Sequence, residues 1–191
     1  MPRLSPFDYL TVLVSIVLGL AMTNVLTRLA VVVTARERVD FYWPPVAWAV
    51  WVFFICVQHW WAQWSTHETV TWTFLKFSTG LLDPILLFFL SALVLPERDE
   101  TRPIDLGAWY YRNRAWFFGT LALLPIASIV DELARSGRIG SMLNLAFLLA
   151  FDVIVAIALL MPSRRAQEWI TGQALVLTVV YVALLFLPLP V

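Results

Sequence analysis

The chain has 191 residues, of which 61% are hydrophobic and 14% are charged, whereas about a quarter of the residues in an ordinary soluble domain carry a charge. Thirteen Lys and Arg residues balance thirteen Asp and Glu residues, so no net charge favours binding to nucleic acid or to an anionic membrane surface. The single cysteine, Cys56, excludes an intrachain disulfide and a cysteine cluster around a metal ion. This composition predicts an integral membrane protein.

Six apolar segments are long enough to cross a hydrocarbon core about 30 Å thick, which takes about 20 residues of helix. The first segment continues too far for a signal-peptide core, so we interpret it as an uncleaved span. The fourth is the least regular, because it contains Pro125 and runs into Asp131. The sequence therefore predicts one transmembrane domain, residues 1–191, built as an all-α bundle of six helices. The predicted spans are residues 7–33, 44–64, 72–95, 115–130, 141–161 and 169–187.

Arginines are distributed unevenly among the connections between the predicted spans. Basic residues in short loops are retained on the cytoplasmic side, and the first, third and fifth connections carry most of them. We therefore expect both termini on the non-cytoplasmic side of a bacterial inner (plasma) membrane. The arginines of the odd-numbered connections are Arg36, Arg38, Arg98, Arg102, Arg112, Arg114, Arg164 and Arg165, and those of the opposite side are Arg3, Arg135 and Arg138.

The third connection is the longest, and part of it mixes aromatic with basic side chains. Residues 104–114 read IDLGAWYYRNR. Aromatic residues of this kind are typical of the boundary between membrane and water. We expect this segment to anchor the fourth span at the interface, or to form a short helix lying in the interface.

Two aspartates lie where the membrane should exclude them. Asp83 and Asp152 fall near the middle of the third and fifth predicted spans, where a charged side chain costs about 2.5–3.5 kcal/mol on insertion scales. Their similar depth would allow the two carboxyl groups to meet. A protonatable carboxyl in apolar surroundings suits a proton relay, and a hydrogen bond to a neighbouring helix would satisfy Asp152 equally well.

Pro84 follows Asp83 and changes what the third span can do. It has no N–H, so it frees the carbonyl of Gly80 one turn earlier, and a freed carbonyl beside a carboxylate suits a cation or a proton. Lys76 lies on the same helical stripe two turns towards the outer surface, where we expect it to extend to the interface rather than to pair with Asp83. The alternative for Asp83 is a neutral or paired side chain that fixes helix packing.

The first predicted span carries small and polar residues at four-residue intervals, which places them on one face. Such a face is typical of close packing within a bundle or between subunits, and a pore lining is the alternative. Asn24 points away from this face and indicates a second contact. Arg28 is expected to extend to the cytoplasmic interface, with a salt bridge to Asp83 or Asp152 as the alternative. The face consists of Thr11, Ser15, Gly19, Thr23 and Thr27.

His59 is the one histidine that falls within a predicted span. It lies beside tryptophans typical of an aromatic belt near the outer surface, and an imidazole changes charge near neutral pH, which suits a pH-dependent gate. An ordinary hydrogen-bonded histidine is the alternative. His67 with Glu68 in the following loop is too little for a metal site.

The remaining motifs point away from catalysis. No nucleophile, zinc-protease or nucleotide-binding pattern is present, and one histidine within the spans is too few to hold haem between two helices. We predict a protein that is not an enzyme and has no cofactor. Its expected partners are membrane lipids, further copies in a homo-oligomer, and a proton or small cation.

The leading hypothesis is a small channel or transporter. It would move protons or a small cation past Asp83 and Asp152, with His59 near the outer mouth. The alternative is a non-transporting membrane component, such as an assembly partner, a sensor or a lipid-binding subunit, in which the buried polar groups serve helix contacts alone.

Overall fold

The computed structural model describes residues 6–64, 73–97, 103–138 and 140–186. Within these ranges the chain forms eight α-helices and one pair of very short strands. The helices are α1 (Pro6–Thr34), α2 (Trp43–Trp64), α3 (Phe74–Thr79), α4 (Leu82–Leu93), α5 (Leu106–Leu121), α6 (Leu123–Ser136), α7 (Met142–Leu160) and α8 (Arg164–Phe186), and the strands are β1 (Val39–Asp40) and β2 (Ile104–Asp105). The predicted positions of Arg3, His67, Glu68, Arg98 and Arg102 lie outside the described residues.

Six helical segments are long and apolar enough to cross a membrane, which confirms the predicted all-helical architecture at this level. Two of the six are interrupted, since α3 and α4 together make Phe74–Leu93 and α5 and α6 together make Leu106–Ser136. Pro84 and Pro125 each follow an interruption by a few residues, because neither has an N–H for the carbonyl one turn before it. The predicted break near Gly80 is therefore present.

The fourth helical segment begins at Leu106 rather than at residue 115, so residues 106–114 are helical and continuous with it. Asp105 starts the helix early, because its carboxylate accepts a hydrogen bond of 2.8 Å from the backbone N–H of Ala108, a typical N-cap contact. Tyr110 is consequently buried within the bundle.

The helices pack with α2 near the centre, where it contacts α1, α4, α5 and α8. We call the end where β1 and β2 pair the strand end of the bundle. There α1, α4 and α7 end and α2, α5 and α8 begin. We call the opposite end, where α2, α6 and α8 end and α3 and α7 begin, the cavity end.

The face that α1 buries overlaps only in part with the small-residue face expected from its sequence. The interior receives Val14, Leu18 and Ala21, with further apolar residues at the same helical spacing. Thr23 and Thr27 are exposed, whereas Ser15 of the same face accepts a hydrogen bond of 3.2 Å from the indole N–H of Trp60 on α2 and the hydroxyl oxygen of Thr11 is buried. The predicted face therefore packs within the bundle over its first turns. Packing of the same face between copies of the chain stays a prediction.

Arg28 is buried, with 5% of its surface exposed, and its salt bridge is to Glu97 rather than to Asp83 or Asp152, the two acids considered from the sequence. It donates hydrogen bonds to the side chain of Asn24 at 2.9 Å, to the backbone carbonyl of Leu95, and to the carboxylate of Glu97 at 2.9 Å. Asn24 donates in turn to the hydroxyl of Ser91 at 3.1 Å. Carbonyls at the end of a helix have no partner within it, and Arg28 supplies a donor to the carbonyl of Leu95, two residues after α4 ends.

A second polar network closes the strand end around Gln167, which is fully buried. Its amide nitrogen donates to the carbonyls of Ala158 at 2.8 Å and Met161 at 2.6 Å, where α7 ends. The amide oxygen accepts a hydrogen bond of 2.7 Å from Tyr110. Arg114 also donates to the carbonyl of Ala158, at 2.6 Å. The polar groups buried here are therefore paired with one another.

The connection between β1 and α2 is fixed by a tyrosine. Tyr42 precedes α2, and burial raises the pKa of its phenol above the usual range, with a smaller contribution from the hydrogen bond to Tyr111. Arg164 lies 4.8 Å from the centre of this ring. Because the ring stays neutral, the contact is a cation–π interaction rather than an ion pair.

Candidate functional site

A cavity of about 350 Å³ lies in the half of the bundle near the cavity end. It is bounded by α2, α4, α6, α7 and α8, and it extends from Trp51 and Phe151, near the middle of their helices, to Arg135 in the last turn of α6. Of the residues singled out from the sequence, Asp83 and His59 line the cavity. The structure therefore brings these two together.

Asp83 is at the centre of the polar contacts, with 8% of its surface exposed. Its Oδ2 lies 3.8 Å from Nδ1 of His59 and accepts a hydrogen bond of 2.9 Å from the hydroxyl of Ser128. Its Oδ1 is buried and has no hydrogen-bond partner among the described residues. Buried polar atoms are nearly always paired, so Asp83 is less completely hydrogen-bonded than a buried carboxyl group usually is.

A second acid, Asp131, stands on α6, just beyond the end of the fourth span predicted from the sequence. Asp131 accepts a hydrogen bond of 3.0 Å from the hydroxyl of Thr79, and its other oxygen forms an ion pair with Arg135 one turn later. Ser128 lies one turn earlier on the same face. The spacing of these polar residues at three and four positions was the signal that could have found them.

Glu132 supplies a third carboxylate to the cavity wall. Its carboxylate lies against Gly140, so close that a side chain at residue 140 would clash with it. The wall thus carries the carboxylates of Asp83, Asp131 and Glu132 and one guanidinium, which is a formal net charge of −2 when His59 is neutral. Within the described ranges, no group of three or more His, Cys, Asp or Glu side chains is arranged to hold a metal ion.

Four aromatic side chains of α2, α7 and α8 also line the cavity. Trp51 stacks on Phe151 with ring centres 5.2 Å apart, and Phe147 stacks on Tyr181 at 3.9 Å. The Tyr181 hydroxyl donates to the Asn144 side chain at 2.8 Å, which holds the ring in place. We call these four rings, which all line the cavity, the aromatic wall.

The other residues singled out from the sequence lie away from the cavity lining. Asp152 is half-buried on α7 and its Oδ1 lacks a hydrogen-bond partner among the described residues, so the structure does not bring it into one cavity with Asp83. Gly80 is buried where a side chain would meet Leu10 of α1 at 3.3 Å. Lys76 is half-buried on α3. Arg28 and Asn24 belong to the network near the strand end.

Comparisons of the chain with protein families, with curated proteins and with solved structures found no match. Its function is therefore inferred from the side chains that surround the cavity.

Proposed function

We propose that the chain is an integral protein of a bacterial inner (plasma) membrane, with six transmembrane helices and both termini outside. The six long apolar helices support insertion. Exposed arginines at the strand end, among them Arg36, Arg112 and Arg165, support a cytoplasmic location for that end, since basic loops are retained inside. In this orientation the cavity faces the outer side of the membrane.

We propose further that the protein is a small transporter for protons or a small cation, with Asp83 and His59 as the exchanging pair. The observation that carries this proposal is a buried carboxylate 3.8 Å from an imidazole inside a cavity of the bundle. An ionisable residue within a membrane span is costly and commonly marks a path for ions or protons. Unlike Arg28, Asp83 retains an unpartnered oxygen among the described residues.

The arrangement supports exchange at one site rather than a permanently open pore. At this distance a protonated imidazole forms an ion pair with the carboxylate, and a cation arriving from the cavity end can take the place of the imidazolium charge as the imidazole releases its proton. Beyond the aromatic contact of Trp51 with Phe151, the strand end is closed by paired polar groups around Gln167. Passage therefore requires the helices to open at that end while they close at the other, as in alternating access.

The test is cation and proton flux into liposomes that contain the purified full-length protein. Replacing Asp83 with Asn preserves the shape of the side chain and removes its charge, so flux should fall at least tenfold, and His59→Gln should remove its dependence on pH. Gel filtration of each variant checks that the fold is retained. Unchanged flux in well-folded Asp83→Asn protein contradicts the proposal.

Asp152→Asn extends the same experiment to the second acid singled out from the sequence. Flux that depends on Asp83 alone would confine the path to the cavity. A matching loss in Asp152→Asn would bring α7 into the path, as predicted from the sequence.

A second candidate is a non-transporting membrane component, such as a sensor that binds its ligand from one side. The observation that favours it is the closed strand end, where Tyr110, Arg114 and Gln167 pair the buried polar groups. This function predicts no flux through well-folded protein. Substitution of Asp83 would then impair ligand binding or the retention of a co-purifying partner.

A further inference from the structure

The charge of the cavity favours a cationic ligand. Three carboxylates and one guanidinium line it. Because Arg135 is already paired with Asp131, the excess negative charge lies at Asp83 and Glu132. An anionic ligand would be repelled by these two groups, and a cation would be attracted, more strongly than in water because the site is partly buried.

Asp83 offers the cation a specific position. Ser128 and His59 approach Oδ2, whereas Oδ1 is buried and unpartnered among the described residues. Leaving a buried acceptor without a donor costs about 1–3 kcal/mol. A rotation of the carboxyl group about the Cβ–Cγ bond would turn this oxygen towards the cavity, where a ligand N–H would supply the missing donor together with a positive charge.

The rest of the lining suits an apolar substituent on that cation. The aromatic wall lines the same cavity as the acidic side chains, and Ile55, Leu87 and Leu124 add aliphatic surface. Aromatic rings attract cations through their electron-rich faces. A strongly hydrated inorganic ion gains nothing from aliphatic contact, whereas an organic ammonium ion gains from both kinds of wall.

The size of the cavity limits the ligand. Binding sites for small molecules typically enclose about 300–1,000 Å³, and this cavity of about 350 Å³ lies near the lower bound. It therefore suits a compact molecule with a single ring or a few short alkyl groups.

We propose that the cavity binds a compact organic ammonium ion, with the charged nitrogen at Asp83 and the apolar part against the aromatic wall. This inference rests on the cation-binding role of Asp83 in the proposed function. It does not require the ion to cross the bilayer.

Calorimetric titration of the full-length protein in lipid nanodiscs tests this assignment with three probes that share one ring, namely benzylammonium, benzyl alcohol and benzoate. Benzylammonium should bind saturably and at least tenfold more tightly than benzyl alcohol, and benzoate should not bind.

Asp83→Asn should remove the preference for the cation. Phe147→Leu should weaken binding about two- to thirty-fold, the range expected for one cation–π contact, and Asp40→Asn, an exposed acid at the strand end, should leave binding unchanged.

Equal binding of benzyl alcohol and benzylammonium would overturn the proposal, as would binding that Asp83→Asn leaves intact. Absence of benzylammonium binding alongside Asp83-dependent proton flux would overturn the ligand class and leave the proposed transport standing. Binding without any flux would support the ligand class and overturn transport. If Asp83→Asn fails to fold, the charge preference of the wild type and its weakening in Phe147→Leu decide the question.

Discussion

Asp83 and Arg28 are both more than nine-tenths buried, yet their hydrogen-bond partners differ. This difference favours a structural role for Arg28 and a binding role for Asp83. Arg28 has acceptors from a side chain of its own helix, from a carbonyl after α4 and from Glu97. Asp83 has one donor and a nearby imidazole on one oxygen and none among the described residues on the other. A charge that is fully paired fixes packing, and one that is partly paired can bind.

The role of Arg28 leads to a prediction on stability. Arg28→Met keeps much of the side-chain volume but removes the donors to Asn24 and to the carbonyl of Leu95, so the free energy of unfolding should fall by about 2–4 kcal/mol, given the cost of orphaned buried acceptors. Thermal unfolding in detergent, followed by circular dichroism, measures the change. Glu97→Gln is the matched control and should cost less than about 1 kcal/mol, because 83% of the Glu97 side chain is exposed. A larger loss in Glu97→Gln than in Arg28→Met would contradict this account.

For single residues, the sequence identified polar side chains in unusual positions more reliably than it identified the residues that they contact. Asp83 and His59 were recognisable because the membrane excludes such groups, and both line the cavity. Asp131 was missed because it stands near the end of a predicted span, where acids are ordinary. The partner of Arg28 is Glu97, which lies 69 positions away, and no local pattern predicts a contact at such separation.

Among the elements, the C-terminal end of α7 is stabilised by hydrogen bonds from a side chain of α8. The carbonyls of Ala158 and Met161 lie at the end of α7, and Gln167 near the start of α8 donates to both. A helix end buried without donors would be costly. The turn between the two helices is therefore held by a side chain that follows it.

Gln167→Leu should lower the free energy of unfolding by about 1–3 kcal/mol, since it leaves buried acceptors and the Tyr110 hydroxyl without their partner. The midpoint of thermal unfolding in detergent reports the effect. Gln173→Leu is the matched control on the exposed side of the same helix and should leave the midpoint nearly unchanged. Equal effects of the two substitutions would indicate that the amide of Gln167 has no special role.

The six long segments were predictable because length and hydropathy are local properties, and the interruption near Gly80 followed from Pro84. The start of the fourth segment was not predicted. Its first turns carry tyrosines and arginines that resemble an interfacial loop, yet the Asp105 cap begins a helix there and the bundle buries Tyr110. Which side of a helix is buried depends on its neighbours, and those are not given by its own sequence.

For the molecule as a whole, the two ends of the bundle should differ in access from outside the cell. In a Cys56→Ala background, which removes the one native thiol, single cysteines at the exposed positions Arg38 and Arg138 mark the strand end and the cavity end. A membrane-impermeant maleimide added to intact cells should label Arg138→Cys directly and Arg38→Cys only after lysis. The reverse pattern would invert the proposed orientation.

The pairing of β1 with β2 joins Val39 to Ile104 and Asp40 to Asp105. Together with the contacts of Arg28, it ties the first connection to the chain that follows α4. All of these partners have been synthesised before α5 begins. During translation the first three spans can therefore pack against one another as a unit. The contacts of Gln167 become available only when α8 emerges. The C-terminal half thus completes the cavity by packing onto N-terminal helices that are already in contact.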